Sequence, residues 1–150
     1  MIENEEKIRN EIIEEARTFL GTKWGHIGRK KGVSVDCVGL ISCVLQNLGY
    51  EVNDLLNYTH MPDFKILQKK LEDNGFLIDF KDIKKGDILT FKFEKTTTHV
   101  AFISEIKDNQ IYIIHSYSLF PRKVIEHIID KKWISQISAC YRLNIFKDSD

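Results

Sequence analysis

Hydrophobic positions in the first half of the chain recur every three or four residues, which is the spacing of one face of a helix. The pattern predicts three helices: one near residues 4–20, one over 36–50, and one that begins at Pro62 and stops at Asn74-Gly75. The apolar face of the first helix is formed by Ile8, Ile12, Ala16 and Phe19, with Ile13 and Leu20 beside them. That of the second is formed by Val38, Ile41, Leu45 and Leu48, widened by Leu40 and Val44. That of the third is formed by Phe64, Leu67 and Leu71. The second helix is apolar over most of its surface, so we expect it to be packed on both sides.

From residue 83 onward the hydrophobic positions alternate, which is the spacing of a strand with one buried face. Strands are predicted over 88–93, 99–104 and 111–115, and two more within 123–129 and 139–145. Residues 21–35 and 51–61 are predicted to be irregular. Helices followed by antiparallel strands predict an α+β fold. No linker, repeat or low-complexity segment interrupts residues 1–150, which indicates a single domain.

Composition agrees with a globular domain and argues against two other classes of protein. Of the 150 residues, 43% are hydrophobic and 29% are charged. Lys+Arg and Asp+Glu both number 22, so the formal charge is zero, and no basic stripe indicates a nucleic-acid partner. The acidic first residues do not resemble a signal peptide. No run reaches the roughly 18 apolar residues of a membrane span, so no membrane insertion is expected.

The chemistry-bearing residues favour a thiol over a metal. The three cysteines, Cys37, Cys43 and Cys140, are an odd number without a C-x-x-C pair, which predicts free thiols made in a reducing cytoplasm. The sequence has no H-E-x-x-H motif and no third ligand at a fixed short spacing from two histidines. We therefore expect neither a metal nor another cofactor.

Cys37 is placed where the second predicted helix begins. Asp36 is a suitable N-cap and Gly49 a suitable residue just beyond the helix end. The helix dipole and free N–H groups at this position favour a thiolate, so the sequence predicts a lowered thiol pKa at Cys37. The alternative is a buried structural thiol, because free cysteine is among the most buried residue types.

Two histidines on the predicted strands can complete a catalytic site. If residues 99–115 form a hairpin centred near Lys107, His99 and His115 lie directly opposite each other on one face. A two-residue turn at Asp108-Asn109 would shift that register. His99 would then take the thiol proton as general base, and His115 would orient its ring. With the Cys37 N–H at the oxyanion, the predicted chemistry is acyl transfer to water through a thioester.

Four segments in order resemble the NlpC family of papain-like cell-wall peptidases. They are Asp36-Cys37-Val38-Gly39-Leu40, Gly86-Asp87-Ile88-Leu89, His99-Val100-Ala101-Phe102 and Ile113-Ile114-His115-Ser116. Segments 20–26, 31–37 and 124–127, with Trp133 and Tyr141-Arg142, are similar to the phage-related branch of that family. The resemblance therefore covers about residues 16–143.

The resemblance implies a papain-like fold, with the nucleophile helix packed on a C-terminal antiparallel sheet. It implies Cys37 as nucleophile, His99 as base and His115 as orienting residue. The implied substrate is a peptidoglycan stem peptide, commonly cut after γ-linked D-Glu.

Other residues near the cysteine are candidates for contact with the substrate or the oxyanion. They are Trp24, His26 and Asp36. Trp24 stands where the family has a tyrosine near the oxyanion, and Val38 stands where serine is common. Because an indole offers an N–H but no hydroxyl, the oxyanion contact is the step that this difference affects.

Two other functions use the same features. A papain-like acyltransferase or deamidase acting on a protein amide would need the same three residues. A non-catalytic module of a phage tail or of the cell wall would carry an unreactive Cys37. Without a recognisable leader, the protein is expected to reach the wall in a virion or by export, so phage-tail and secretion proteins are candidate partners.

Overall fold

A computed structural model describes residues 2–54, 56, 58, 63–93 and 98–147. The helices are α1 (Ile2–Arg17), α2 (Cys37–Asn47), α3 (Phe64–Asn74) and α4 (Lys131–Ser135). The strands are β1 (Arg29–Lys30), β2 (Ser34–Val35), β3 (Gly75–Ile78), β4 (Ile88–Lys92), β5 (Thr98–Lys107), β6 (Gln110–Ser116), β7 (Val124–Ile128) and β8 (Ile137–Leu143). Short 3-10 helices cover Phe80–Asp82 and Asn144–Phe146. The predicted helix start at Pro62 lies outside the described residues.

The three predicted helices are present, and their ends follow from local chemistry. The Asp36 carboxylate accepts from the Gly39 N–H at the start of α2, as an N-cap does. Gly49 follows the end of α2 with a φ of 88°, the left-handed conformation that glycine adopts without steric cost. Of the stripe predicted for the first helix, Ile12, Ala16 and Phe19 are buried and Ile8 is partly buried. Leu20 is 47% exposed, because α1 has already ended at Arg17.

Strands β3 to β8 form one antiparallel sheet in the order β3-β8-β4-β5-β6-β7. The prediction missed β3 and α4, which are only four and five residues long and too short to show a period. It also predicted an irregular segment at 21–35, where β1 and β2 form a two-stranded hairpin. The α+β class with α2 packed against the sheet is confirmed.

The register of the β5–β6 hairpin differs from the prediction centred near Lys107. Asp108 and Asn109 both have positive φ, so they form a two-residue turn that pairs Lys107 with Gln110. A bulge at Ser104 then shifts the register by one residue, because Ile103 pairs with Ile113 while Glu105 pairs with Tyr112. Extending this register places His99 and His115 diagonally, not directly opposite. Without the bulge they would lie on opposite faces of the sheet.

The two faces of the sheet are buried against different partners. Alternate residues of the central strands pack on α1, α2 and α3; among them are Ile88, Val100, Phe102, Ile114 and Val124. The intervening residues form a second cluster with Trp133 of α4, among them Leu89, Phe91, Ala101, Ile103 and Ile113. None of the helices in the described part of the chain is both long and apolar enough to cross a bilayer.

Candidate active site

Cys37 lies at the first position of α2, where the helix meets the beginning of β5. Its sulfur is within reach of the backbone N–H groups of Val38 and Val100, both of which favour a thiolate. Val100 is the residue after His99. On the other side of the cysteine, the Ser116 hydroxyl donates to the Val35 carbonyl over 2.6 Å and ties the incoming chain to the end of β6.

Burial outweighs these local donors at Cys37. The side chain is only 4% exposed. Burial and then the nearby Asp36 charge raise the pKa of the Cys37 thiol to about 12. The predicted lowering of this pKa is therefore wrong for the free protein, because loss of solvation disfavours a charged sulfur more than the helix start favours it. The thiol is protonated at neutral pH.

Asp36 holds the segment that precedes the cysteine. Its Oδ1 accepts from Gly39 N–H at 2.8 Å and from Arg29 Nη1 at 2.9 Å. Its Oδ2 accepts from Ile27 N–H at 2.8 Å and from the Tyr58 hydroxyl. These bonds use the carboxylate to fix the start of α2, which is a structural role beside the substrate role that the sequence suggested.

Gly39 is required by how closely this segment approaches the helix. A Cβ at position 39 would lie 2.1 Å from the carbonyl oxygen of Gly28 and 2.8 Å from Arg29 Nη1. A larger residue would push Gly28 and Arg29 away from Asp36. The glycine two positions after the cysteine is thus explained by packing.

His99 and His115 are in direct contact, as the sequence predicted for their shared face. His99 Nε2 lies 2.5 Å from His115 Nδ1. Both side chains are almost completely buried. The His99 ring stacks on Phe93, and the edge of Trp133 meets the His115 ring. The surrounding aromatic side chains hold the two rings in one orientation.

Both histidines are neutral in the free protein. Burial, with a smaller effect of His127, lowers the pKa of His99 to about 3. Burial, then His99 and His127, also lower the pKa of His115. Together with the raised pKa of Cys37, this gives a thiol beside imidazoles instead of a preformed ion pair.

The structure brings some predicted residues together and leaves others apart. The two histidines are hydrogen-bonded, whereas within the described residues no hydrogen bond joins the Cys37 thiol to His99. Trp24 forms a bridge to Val35 and lies under the Arg122 guanidinium, 5.0 Å from its ring centre. The His26 side chain is exposed, with its ring 5.4 Å from that of Tyr58.

Sequence reasoning missed three side chains at this site: His127, Trp133 and Tyr58. His127 Nε2 lies 2.9 Å from His115 Nε2. The register pairs His127 with Ile113, so the alternation of β7 would have placed it on the face of His115. Trp133 belongs to the short helix α4 and was matched only as part of the family resemblance, without a role at the site. Tyr58 belongs to a segment without periodicity and gave no signal.

The cysteines and other metal-binding side chains form no metal site in the part of the chain that is described. All three cysteines are buried and free. No group of three His, Cys, Asp or Glu side chains among the described residues is arranged to hold a metal ion.

Comparisons with known proteins agree on one family. The family model described as NlpC/P60 matches residues 21–137. No curated protein matches the chain significantly. Among solved structures, a protein from Staphylococcus aureus described as similar to lipoprotein, NLP/P60 family, has a TM-score of 0.65 and 19% identity over 91% of this chain and 41% of its own.

Two further structures show the same fold. An NlpC/P60 family protein from Bacillus cereus has a TM-score of 0.61 and 23% identity, covering 90% of this chain and 40% of its own. The NlpC/p60 domain of peptidoglycan hydrolase SagA has a TM-score of 0.59 and 20% identity, covering 90% of this chain and 98% of that domain. The chain thus spans about two fifths of the first two proteins but nearly all of the isolated domain.

Proposed function

The chain belongs to the NlpC/P60 family, and we propose that it is a cysteine peptidase that hydrolyses an amide bond in peptidoglycan stem peptides. One observation carries the proposal: the helix-start Cys37 lies against the Val100 N–H, one residue from the buried His99, which is bonded to His115. Family membership supports this class of activity. The similar SagA domain comes from a protein described as a peptidoglycan hydrolase.

The proposed mechanism starts from the neutral pair. Because His99 Nε2 is used in the bond to His115, Nδ1 is the ring atom left to accept the Cys37 proton. The sulfur then attacks the scissile carbonyl and forms a thioester, and the protonated His99 gives its proton to the leaving amine. Water hydrolyses the thioester with His99 acting again as base.

Substrate binding has to complete the contact between Cys37 and His99. Catalytic hydrogen bonds are often long in a free enzyme and shorten in the complex. The Cys37 N–H and the Val100 N–H lie at the helix start and strand start that meet here, so a carbonyl oxygen bound between them would be stabilised as an oxyanion. We propose that the bond cut follows γ-linked D-Glu, as the resemblance implies.

The experiment is a digest of purified peptidoglycan analysed by mass spectrometry. We expect new stem fragments with the wild-type chain and a loss of at least about a thousandfold in rate with Cys37→Ala. Cys43→Ala is the matched control, since Cys43 is another buried free thiol on α2. Fragments that persist in Cys37→Ala would overturn the proposal. The masses identify the bond.

A second candidate, a non-catalytic wall or phage-tail module, is favoured by the neutral state of the site. A thiol with a raised pKa and 4% exposure is unreactive at rest. Slow alkylation of Cys37 in the free protein is thus expected for both candidates and does not separate them. Intact stems in the digest, together with pull-down of the chain on peptidoglycan, would favour the module.

A further inference from the structure

A third histidine extends the buried pair to the edge of the sheet. His127 lies on β7, the edge strand next to β6. Its Nε2 is 2.9 Å from His115 Nε2, and its Nδ1 is 2.9 Å from the carbonyl oxygen of Ile128. With the 2.5 Å contact between His99 and His115, the three rings form one continuous row, here called the histidine chain.

The Ile128 carbonyl fixes where every proton of the histidine chain lies. A carbonyl oxygen only accepts, so a neutral His127 carries its one proton on Nδ1 and presents an unprotonated Nε2 to His115. His115 must then donate from Nε2, which leaves its Nδ1 as acceptor. His99 donates from Nε2 to that atom, and its own Nδ1 is left unprotonated. This assignment uses each proton once and is the one that three neutral rings allow with these contacts.

Burial favours the neutral form of the two inner rings, His99 and His115. His99 and His115 are 1% and 0% exposed, so water is largely excluded from them. The pKa of each is lowered by burial. Trp133 packs its ring edge against both His115 and His127, which keeps the three rings aligned.

We propose that His127 is a positioning residue that, through His115, holds His99 in the one tautomer able to accept the Cys37 proton. The inference rests on the proposed peptidase function. In the step that it serves, the S–H bond of Cys37 breaks, the electron pair stays on sulfur, and an N–H bond forms at Nδ1 of His99. His99 keeps its Nε2 proton, which remains donated to His115. Later the Nδ1 proton leaves with the amine.

The first test observes the protons directly. Two-bond proton–nitrogen correlation spectra of the protein labelled with 15N-histidine distinguish the two neutral tautomers and the charged ring. We expect protons on Nε2 of His99, Nε2 of His115 and Nδ1 of His127 at neutral pH. A proton on Nδ1 of His99, or a charged His99 ring, would overturn the inference whatever the activity.

The second test uses three substitutions of His127 that differ in hydrogen bonding. In His127→Gln the amide can both accept from His115 and donate to Ile128, so we expect kcat on peptidoglycan within about threefold of wild type. His127→Leu can neither accept from His115 nor donate to Ile128. The tautomers of His99 and His115 are then no longer fixed, and kcat should fall about tenfold. The lysine in His127→Lys can only donate to Nε2 of His115. His115 must then carry its proton on Nδ1 and donate it to Nε2 of His99, which places the His99 proton on Nδ1.

We expect His127→Lys to lower kcat by at least about a hundredfold, because the wrong tautomer removes the base. KM should not change, since His127 is not expected to touch the substrate. Equal kcat in His127→Gln and His127→Lys would overturn the inference, whether both keep or both lose activity. Wild-type protein that shows the expected protons but does not cut peptidoglycan would overturn the proposed function and leave the proton assignment supported.

Discussion

Two buried polar clusters of this domain are constructed in opposite ways. In the first, Asp87 is 0% exposed, and its carboxylate accepts from Arg9 at 2.9 Å, from Arg142 at 3.0 and 3.1 Å and from the Lys84 N–H at 2.8 Å. In the second, the histidine chain, the rings bond to one another and to a backbone carbonyl, and burial keeps His99 and His115 neutral. The Asp87 cluster balances charge with charge, whereas the histidine chain avoids charge.

The difference separates groups that hold the fold from groups available for chemistry. The Asp87 carboxylate joins α1, the turn before β4 and β8, and its acceptor sites are filled. The histidine chain leaves one lone pair, on Nδ1 of His99, unassigned by these hydrogen bonds. The Asp87 carboxylate has no acceptor position left for another group, whereas the histidine chain can take up a proton at Nδ1 of His99.

The largest expected effect is loss of activity in His99→Phe. Phenylalanine keeps the stacking on Phe93 but removes the proposed base, so kcat/KM on peptidoglycan should fall at least about a thousandfold. Stability, measured by urea unfolding, should fall by only about 1–2 kcal/mol, for the unpaired acceptor left on His115. Retained activity would remove His99 from the mechanism. A loss of stability as large as that of an Asp87 variant would mean that the histidine chain supports the fold as much as the Asp87 cluster does.

The reverse result is expected for Asp87→Asn. Removing this charge takes one carboxylate from the buried guanidinium groups of Arg9, which keeps Glu5, and Arg142, which keeps the Asp82 carbonyl. We expect this to cost about 3–5 kcal/mol of unfolding free energy. The rate per folded molecule should stay close to wild type, because Asp87 belongs to the fold. Asp82→Asn, in an exposed residue nearby, is the control and should change stability by less than about 0.5 kcal/mol. A specific loss of kcat in folded Asp87→Asn would contradict the division of roles.

The sequence could predict most of these elements but not their charge states. Periodicity predicted α1 to α3 and the main strands, because each buries a regular face. The bulge at Ser104 has no local signature, yet it decides that His99 and His115 share a face. The expected thiolate at Cys37 was argued from the helix start alone. The burial that raises its pKa comes from strands more than 50 residues away in the chain.

The next largest effect is a dependence of the free energy of unfolding on pH. The pKa of His99 is lowered to about 3, below the ordinary 6.5, so the unfolded chain binds a proton at a higher pH than the folded one. Its contribution to stability is therefore complete above pH 6.5 and is lost as the pH falls toward 3. Between pH 6.5 and 4.5, before most carboxylates titrate, one such histidine accounts for a loss of about 2 kcal/mol of unfolding free energy.

Urea unfolding at several pH values measures this dependence. In His99→Phe the slope between pH 6.5 and 4.5 should become shallower, because one of two buried neutral histidines is gone. Cys43→Ala, which changes a buried side chain of α2 but removes no histidine, serves as control and should leave the slope as in wild type. An unchanged slope in His99→Phe would show that His99 is charged or hydrated in the folded state.

The smallest effect is expected for His115→Ala, which removes the middle of the histidine chain but leaves thiol and base in place. The space left beside His99 can admit water, which can accept the Nε2 proton of His99, although without a fixed orientation. Activity should therefore fall by about 10- to 100-fold, less than in His99→Phe, and mainly in kcat. Tyr117→Phe, which keeps the ring contact to His115, is the matched control. Full activity in His115→Ala would mean that His99 needs no partner. A loss of activity equal to that of His99→Phe would mean that His115 takes part in the proton transfer itself. The histidine chain would then conduct the proton instead of only orienting His99.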